Sequence, residues 1–569
     1  MKSRYLLPTL ALGLGLTAVL LLLLTYPIPV VCADPAVYVY YVRAGGTGTT
    51  CTPTDPCGSV QQAINLASDG DEVWVATGTY TENLDIVHGL SLRGGWQTDF
   101  AVQHPLTTPA TIHGPGDHAE NLVAINAGTA PVTIEGFMLR NGEDGLNIDS
   151  GAVTVTHVTL ADIKKQAVDV DGGTIVVQQS VITDIQREAV QVEDGNVLVR
   201  DCILVNVGQD TSKTRAGIRV EGGNVHVEHT SITDATFEGV HIVDGTVVLE
   251  DVTIVGAGHE GVQVEAGTTS ILSCTIHATV QEGIKISGTH TVSGNLVYDT
   301  GEDGIYAHDG TATVVNNTVH DIGGDGIRTA DGATVSIYGN TIYSASDDCI
   351  EASGDTVLVA NNFISGCKDH GIKAQGANHT FINANQVYDA NQDHNADTAG
   401  IDLDDAGTFT VTNNIVADSS WASVFIETAA GPHNFLYHNT LVGSATGQQG
   451  TGISVTVPGI TIALVNNIVV SHSAGIAVTP GATLIVSNTL LWGNGDAPIS
   501  GTLLLPPMFV APAQQDYHLL PNSPAVDAGI DVGVTRDVDG DHRPIGVLPD
   551  IGADEVRLRT FLPLVLRDY

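Results

Sequence analysis

Carboxylates, an imidazole and a few cations recur along this chain at a spacing that could bring them together. Asp325 is followed by the pair Asp347-Asp348 and then by His370, each close to 22 residues after the last. Carboxylates held side by side repel one another, so some keep their protons near neutral pH or take a cation instead. That is the raw material of general acid–base catalysis, in which one carboxyl group protonates a departing oxygen and another draws a proton from water. A second series follows the same ruler, offset by three residues: Arg219, His241, Gln263, Lys285, Tyr306, Arg328, Glu351, Lys373 and Asp402. In a chain with 21 Lys and Arg, four fall on this one row. Such a row suits a polyanionic glycan, and a solvated strand face of mixed charge is the plain alternative.

What could stack these residues is the repeat itself. A Gly-Ile-x-Val phrase begins at Gly145 and returns about every 22 residues, at Gly217, Gly239, Gly261, Gly283, Gly304, Gly326, Cys349, Gly371 and Gly400 among others. A period of this length marks a solenoid. Inside a repeat the apolar residues alternate, as in Val240 and Ile242 and then Val247 and Leu249, with Gly, Asp and Asn between the runs and no helical periodicity. The expected fold is all-β, a parallel β-helix in which each strand pairs with its counterpart one coil away at roughly 4.8 Å. The acids just before the Gly phrase (Asp144, Glu188, Glu238, Glu260, Glu282, Asp303, Asp325, Asp348, then His370) therefore form a ladder. For any one of them, accepting a backbone hydrogen bond at the turn is the bland reading.

Asp and Glu number 64, and the formal charge is −43, which excludes nucleic acid and anionic membrane surfaces as partners. Lys2 and Arg4 precede an apolar run from Leu6 to Leu24, and Val31-Cys32-Ala33 closes it. This reads as a secretory signal over 1–33, with an uncleaved anchor as the alternative; a secreted or cell-surface monomer is expected. Export lets disulfides persist. Cys51 and Cys57 flank a Pro-rich turn and are expected to pair, whereas Cys202 and Cys274 fall three coils apart, roughly 14 Å, too far to bridge.

Residues 34–120 read as a cap and irregular first coils, 121–505 as regular repeats, 506–556 as a small C-terminal module and 557–569 as a hydrophobic tail. Ser59-Val60-Gln61-Gln62 is a capping-box pattern opening a short helix that would cover the first coil. In later coils an Asn recurs at one turn, at Asn295, Asn317, Asn340, Asn362, Asn385, Asn414, Asn439, Asn467 and Asn488, as expected for a stack of amides. Three repeats add residues before the Gly strand, over Gln209–Ala216, Asn391–Ala399 and Gly443–Thr451, and are expected to wall a groove whose floor spans the coils from Gly217 to Gly400.

Asp325-Gly326-Ile327, Asp347-Asp348-Cys349-Ile350 and Cys367-Lys368-Asp369-His370-Gly371 on consecutive coils resemble the polygalacturonase family of inverting glycoside hydrolases. The resemblance implies a right-handed β-helix of the pectin-lyase-like superfamily and a bridge between Cys349 and Cys367. It also implies Asp347 as general acid, Asp325 and Asp348 as activators of water, and His370 in support. Inversion needs room for a water between acid and base, which opposed side-chain directions on adjacent coils would supply. Where that family holds the substrate carboxylate with Arg-x-Lys, this chain has Asp402-Leu403-Asp404, leaving Arg328 or Lys373 as substitutes. A lyase would use the cation row instead: Arg328 to neutralise a uronate, Lys285 or Lys373 as base and Tyr306, with His308 two residues on, as acid. A non-catalytic glycan-binding scaffold is the third reading.

The segment Asn522-Ser523-Pro524-Ala525-Val526-Asp527, with Asp537-Val538-Asp539-Gly540-Asp541 and Asp550-Ile551-Gly552-Ala553-Asp554 after it, resembles the choice-of-anchor module of secreted bacterial β-helix proteins, which implies a surface or export role. Asp537, Asp539 and Asp541 alternate as in a calcium loop, although no Glu closes it; a hydrogen-bonded turn is the other reading. No cofactor is required by any of these readings, and calcium is the one ion the pattern invites.

Overall fold

The computed structural model describes residues 37–557, apart from 117–119, 213–214, 391, 393–396, 428–430, 432–433, 445–449 and 497–498. The signal segment and all but Arg557 of the hydrophobic tail lie outside the described residues, as does part of each of the three insertions. From Val39 onward the chain winds as a parallel β-solenoid of about 18 turns. A typical coil contributes Ile218–Val220, Asn224–Glu228 and Ser231–Ala235, and each strand pairs in parallel with the strand one coil on.

Register is strict where it matters. Ile218, Val240, Val262, Ile284, Ile305, Ile327, Ile350, Ile372 and Ile401 form one continuous inward column. All are fully buried, because period-2 alternation turns every second side chain into a narrow core of Val and Ile. The glycines at the head of these strands are required by crowding: a Cβ on Gly304 would lie 2.5 Å from Val319 Cγ1 and 2.6 Å from the Gly326 carbonyl.

At the first coil the helix Val60–Leu66 buries Val60, Ala63 and Ile64. Ser59 accepts from the Gln62 amide, but Gln62 does not return the bond; Glu82 caps instead, accepting from Val60 N at 2.8 Å, Gln61 N at 3.1 Å and Ser59 Oγ at 2.7 Å. Half of the capping box forms, between Ser59 and Gln62, and Glu82 takes the place of the other half. Among the described residues no helix is long and apolar enough to cross a membrane.

The amide ladder runs from Asn295 to Asn467, every Oδ1 beyond the first accepting both the backbone N–H and the side-chain amide of the preceding Asn. Asn488 is a correction: it falls one residue short of that column, which passes to Thr489. Asn488 occupies the preceding turn position with φ of +46°, the place Asn361, Asn413 and Asn466 take in earlier coils. The same column continues backward through the buried free thiols of Cys274 and Cys202.

From the coil of Ile415 onward the strands Ile415–Ala417, Thr440–Val442 and Ile468–Val470 are buried on both faces. The C-terminal module covers their outer side with Tyr517, Leu519, Ala525, Val538, Ile551 and Ala553. Its centre is Arg543, whose fully buried guanidinium meets Glu555 at 3.0 Å and donates to the carbonyls of Asp550, Gly552 and Ala553. The three acids of the candidate calcium loop each have protein partners. Asp537 Oδ1 accepts the amides of Asp539 and Asp541, and its Oδ2 accepts that of Glu555. Asp539 pairs with His518 at 2.9 Å and Asp541 with Arg557, so each of the three carboxylates has a partner of its own.

Candidate functional site

Two columns run side by side along one outer face. The first is the row from Arg219 through His241, Gln263, Lys285, Tyr306, Arg328, Glu351 and Lys373 to Asp402, each registered on the next. The second holds the acids three residues earlier, fixed because the Gly amide of one coil donates to the acid's carbonyl on the next, as Gly304 does to Asp325 and Gly326 to Asp348. Both acid positions are more than nine-tenths buried.

The acid column changes character midway. In the coils of Asp303, Asp325 and Asp348 each Oδ1 accepts the amide of the next residue in the column, at 2.9, 2.9 and 2.7 Å, and His370 Nδ1 closes the chain by accepting from Ala399 N at 3.0 Å. His370 is thereby held neutral with its proton on Nε2, and burial with the nearby Lys373 charge lowers it to about 4. In the earlier coils the longer Glu side chains reach cations: Glu188 meets Arg215 at 3.2 Å, and Glu260 and Glu282 share Lys285 at 3.2 and 2.9 Å. Arg215 lies in the first insertion, a role the sequence did not flag.

Asp325, Asp347 and Asp348 converge: one oxygen from each lies within 4.8 Å of the others. Asp347 is the exposed member. Opposed directions were expected of this group; the side chains meet instead, tighter than the roughly 6.5–9.5 Å that admits a water between acid and base. Burial raises all three. Asp348 is pushed up to about 7, the His370 amide and Lys373 restraining it. Asp325 goes further, driven by burial and then by Asp348, and Asp347 is raised by burial and by Asp369. Asp402, where the resemblance calls for a cation, is fully buried, lies 3.8 Å from His370 Nε2 and is pushed up to about 8 by burial and Asp404.

The cation row is not a free positive strip. Arg328 lies 3.2 Å from Glu351, 3.8 Å from Asp303 and 4.0 Å from Asp325; Lys373 lies 4.0 Å from Glu351. Arg219 is held by Glu221 at 2.6 Å and touches His241, which pairs in turn with Glu265. Tyr306 is flanked by Arg328 and Lys285 at 5.3 and 5.8 Å from its ring centre. Acids outnumber cations throughout the face. The disulfides join Cys51 to Cys57 and Cys349 to Cys367, and the second ties the turn of Asp348 to that of His370.

A family model described as "Right handed beta helix region" matches residues 166–314 and 303–491. The chain belongs to this family. The β-helix is also similar to several solved structures. The pectate lyase Pel9A is 13% identical, with 92% of this chain and 97% of its own covered at a TM-score of 0.25. The A-module of the Azotobacter vinelandii mannuronan C-5 epimerase AlgE6 is 14% identical, covering 79% and 95% at 0.29. The periplasmic alginate epimerase AlgG is 10% identical, covering 75% and 79% at 0.28. No curated protein sequence matches the β-helix.

Proposed function

We propose that this protein acts outside the cell on a polysaccharide, cleaving a glycosidic bond by acid–base chemistry at Asp325, Asp347 and Asp348. The observation that carries the reading is the convergence of three carboxyl groups, one oxygen from each within 4.8 Å of the others, with Asp347 exposed and Asp325 and Asp348 buried. Asp347 is the member that touches substrate: it gives its proton to the leaving oxygen as the bond to the sugar carbon breaks, a water bonds to that carbon, and the proton the water releases returns to the carboxylate cluster. Asp348, poised at about 7, and the more strongly protonated Asp325 stand behind it as a buried proton store. His370, locked by Ala399 N and bridged to the site through the Asp348 carboxylate, positions that store.

The face favours a neutral glycan over a polyuronate, because Lys285, Arg328 and Lys373 are each set among carboxylates and the row offers no free positive strip. The same pairing weighs against β-elimination. The test is a screen of neutral and uronate polysaccharides that follows reducing ends and unsaturated-uronate absorbance separately. Reducing ends without absorbance are expected, with a loss of about 10²–10⁴-fold in Asp347→Asn at unchanged circular dichroism. Absorbance rising with reducing ends would establish the lyase instead, and binding without either product the scaffold. Full activity in Asp347→Asn would remove the assignment.

A further inference from the structure

Along the acid column one carboxylate lacks the compensation its neighbours have. Glu188 has Arg215, Glu260 and Glu282 have Lys285, and the Asp residues cap backbone amides. Glu238 has neither. Its side chain is 3% exposed, its Oε2 is buried without a hydrogen-bond partner, as are the second oxygens of Glu188 and Glu282, and the ion-pair partner it does have is His259, whose Nδ1 lies 3.7 Å from Oε1. That is too long for a hydrogen bond, and a buried carboxylate oxygen without a donor is costly enough to favour a cation beside it.

We propose that Glu238, His259 and Glu260 form a binding site for a first-row transition-metal dication of the Zn²⁺ type. One donor atom from each lies within 4.8 Å of the others. The His259 ring is set edge-on against Phe237, with ring centres 4.9 Å apart at 84°, and its amide is tied to the Phe237 carbonyl. The imidazole is 36% exposed while Glu238 lies beneath it, so an ion can enter from solvent and keep water on its open positions. One nitrogen and two carboxylates suit zinc or its neighbours, whereas calcium and magnesium prefer all-oxygen sets. Donors around zinc sit about 2.0–2.2 Å from the metal, so the three groups draw inward on binding. Glu260 can do so without stranding Lys285, which keeps Glu282 at 2.9 Å. The site lies along the same column as the acid–base cluster but shares no residue with it, and stands whether or not that cluster is catalytic.

The test is calorimetric titration of the untagged full chain with ZnCl₂ and, separately, CaCl₂, with melting followed in parallel. Wild type is expected to bind zinc and melt higher in its presence. His259→Ala and Glu238→Gln are expected to lose this event, with affinity falling more than roughly tenfold. His259 is partly exposed, so its variant folds and decides the matter even if Glu238→Gln does not. Zinc bound equally well by His259→Ala would overturn the proposal, as would the absence of zinc binding in wild type or calcium binding that matches zinc.

Discussion

The Glu stretch and the Asp stretch of the acid column occupy equivalent positions in the same repeat and differ by one methylene. The Asp carboxyl ends level with the next coil's amide and turns inward to accept from it, as Asp348 does from His370 N. The Glu carboxyl passes that amide and reaches outward to a cation, as Glu282 does to Lys285. The first arrangement withdraws carboxylates from water and packs them together, which raises their proton affinity. The second leaves them equally buried, with Glu188, Glu260 and Glu282 each paired to a cation. One residue type thus builds a proton-holding cluster and the other an ion-pair network on an otherwise uniform scaffold.

The sharpest way to break this comparison is to shorten both. Asp348→Ala strands the buried His370 amide and is expected to cost about 1–3 kcal/mol, read as a lower urea midpoint. Glu282→Ala is expected to cost under about 1 kcal/mol, since Lys285 retains Glu260. Equal costs would mean that the two stretches do the same job.

Titration sharpens it further. Asp348 and Asp402 are raised from 3.8 to about 7 and about 8, so the folded chain holds protons that the unfolded chain has released. Their contribution is fully present below about pH 4 and is lost as pH rises through about 7 to 8. Unfolding free energy should therefore fall across this window, and Asp402→Asn should flatten the fall by at most about 1.4 kcal/mol per pH unit. Denaturant titrations at stepped pH measure this, and an unchanged slope would count against a protonated Asp402. The smallest effect is reserved for Lys285→Met, which is expected to cost under about 1 kcal/mol at low salt and to merge with wild type at 1 M NaCl.

Much of this was legible beforehand. The column from Arg219 to Asp402 and the separation of Cys202 from Cys274 follow from counting, because a parallel solenoid converts sequence period directly into height. Asn488 escaped the count because Asn serves at two adjacent turn positions, once as an inward ladder amide and once where φ is positive. Glu82 at the helix cap, Arg215 on Glu188 and the aim of Asp539 toward His518 were not legible, since each depends on side-chain reach between coils or across the C-terminal module.

The sequence by itself determined the solenoid, its register and which residues share a column, because alternation and period are properties of the backbone path. Tertiary structure alone decided what those columns do. Whether a carboxylate faces an amide, a cation or another carboxylate depends on distances of an ångström or two between coils, and that difference separates the clustered acids at Asp325 and Asp348 from the paired ones at Glu260 and Glu282.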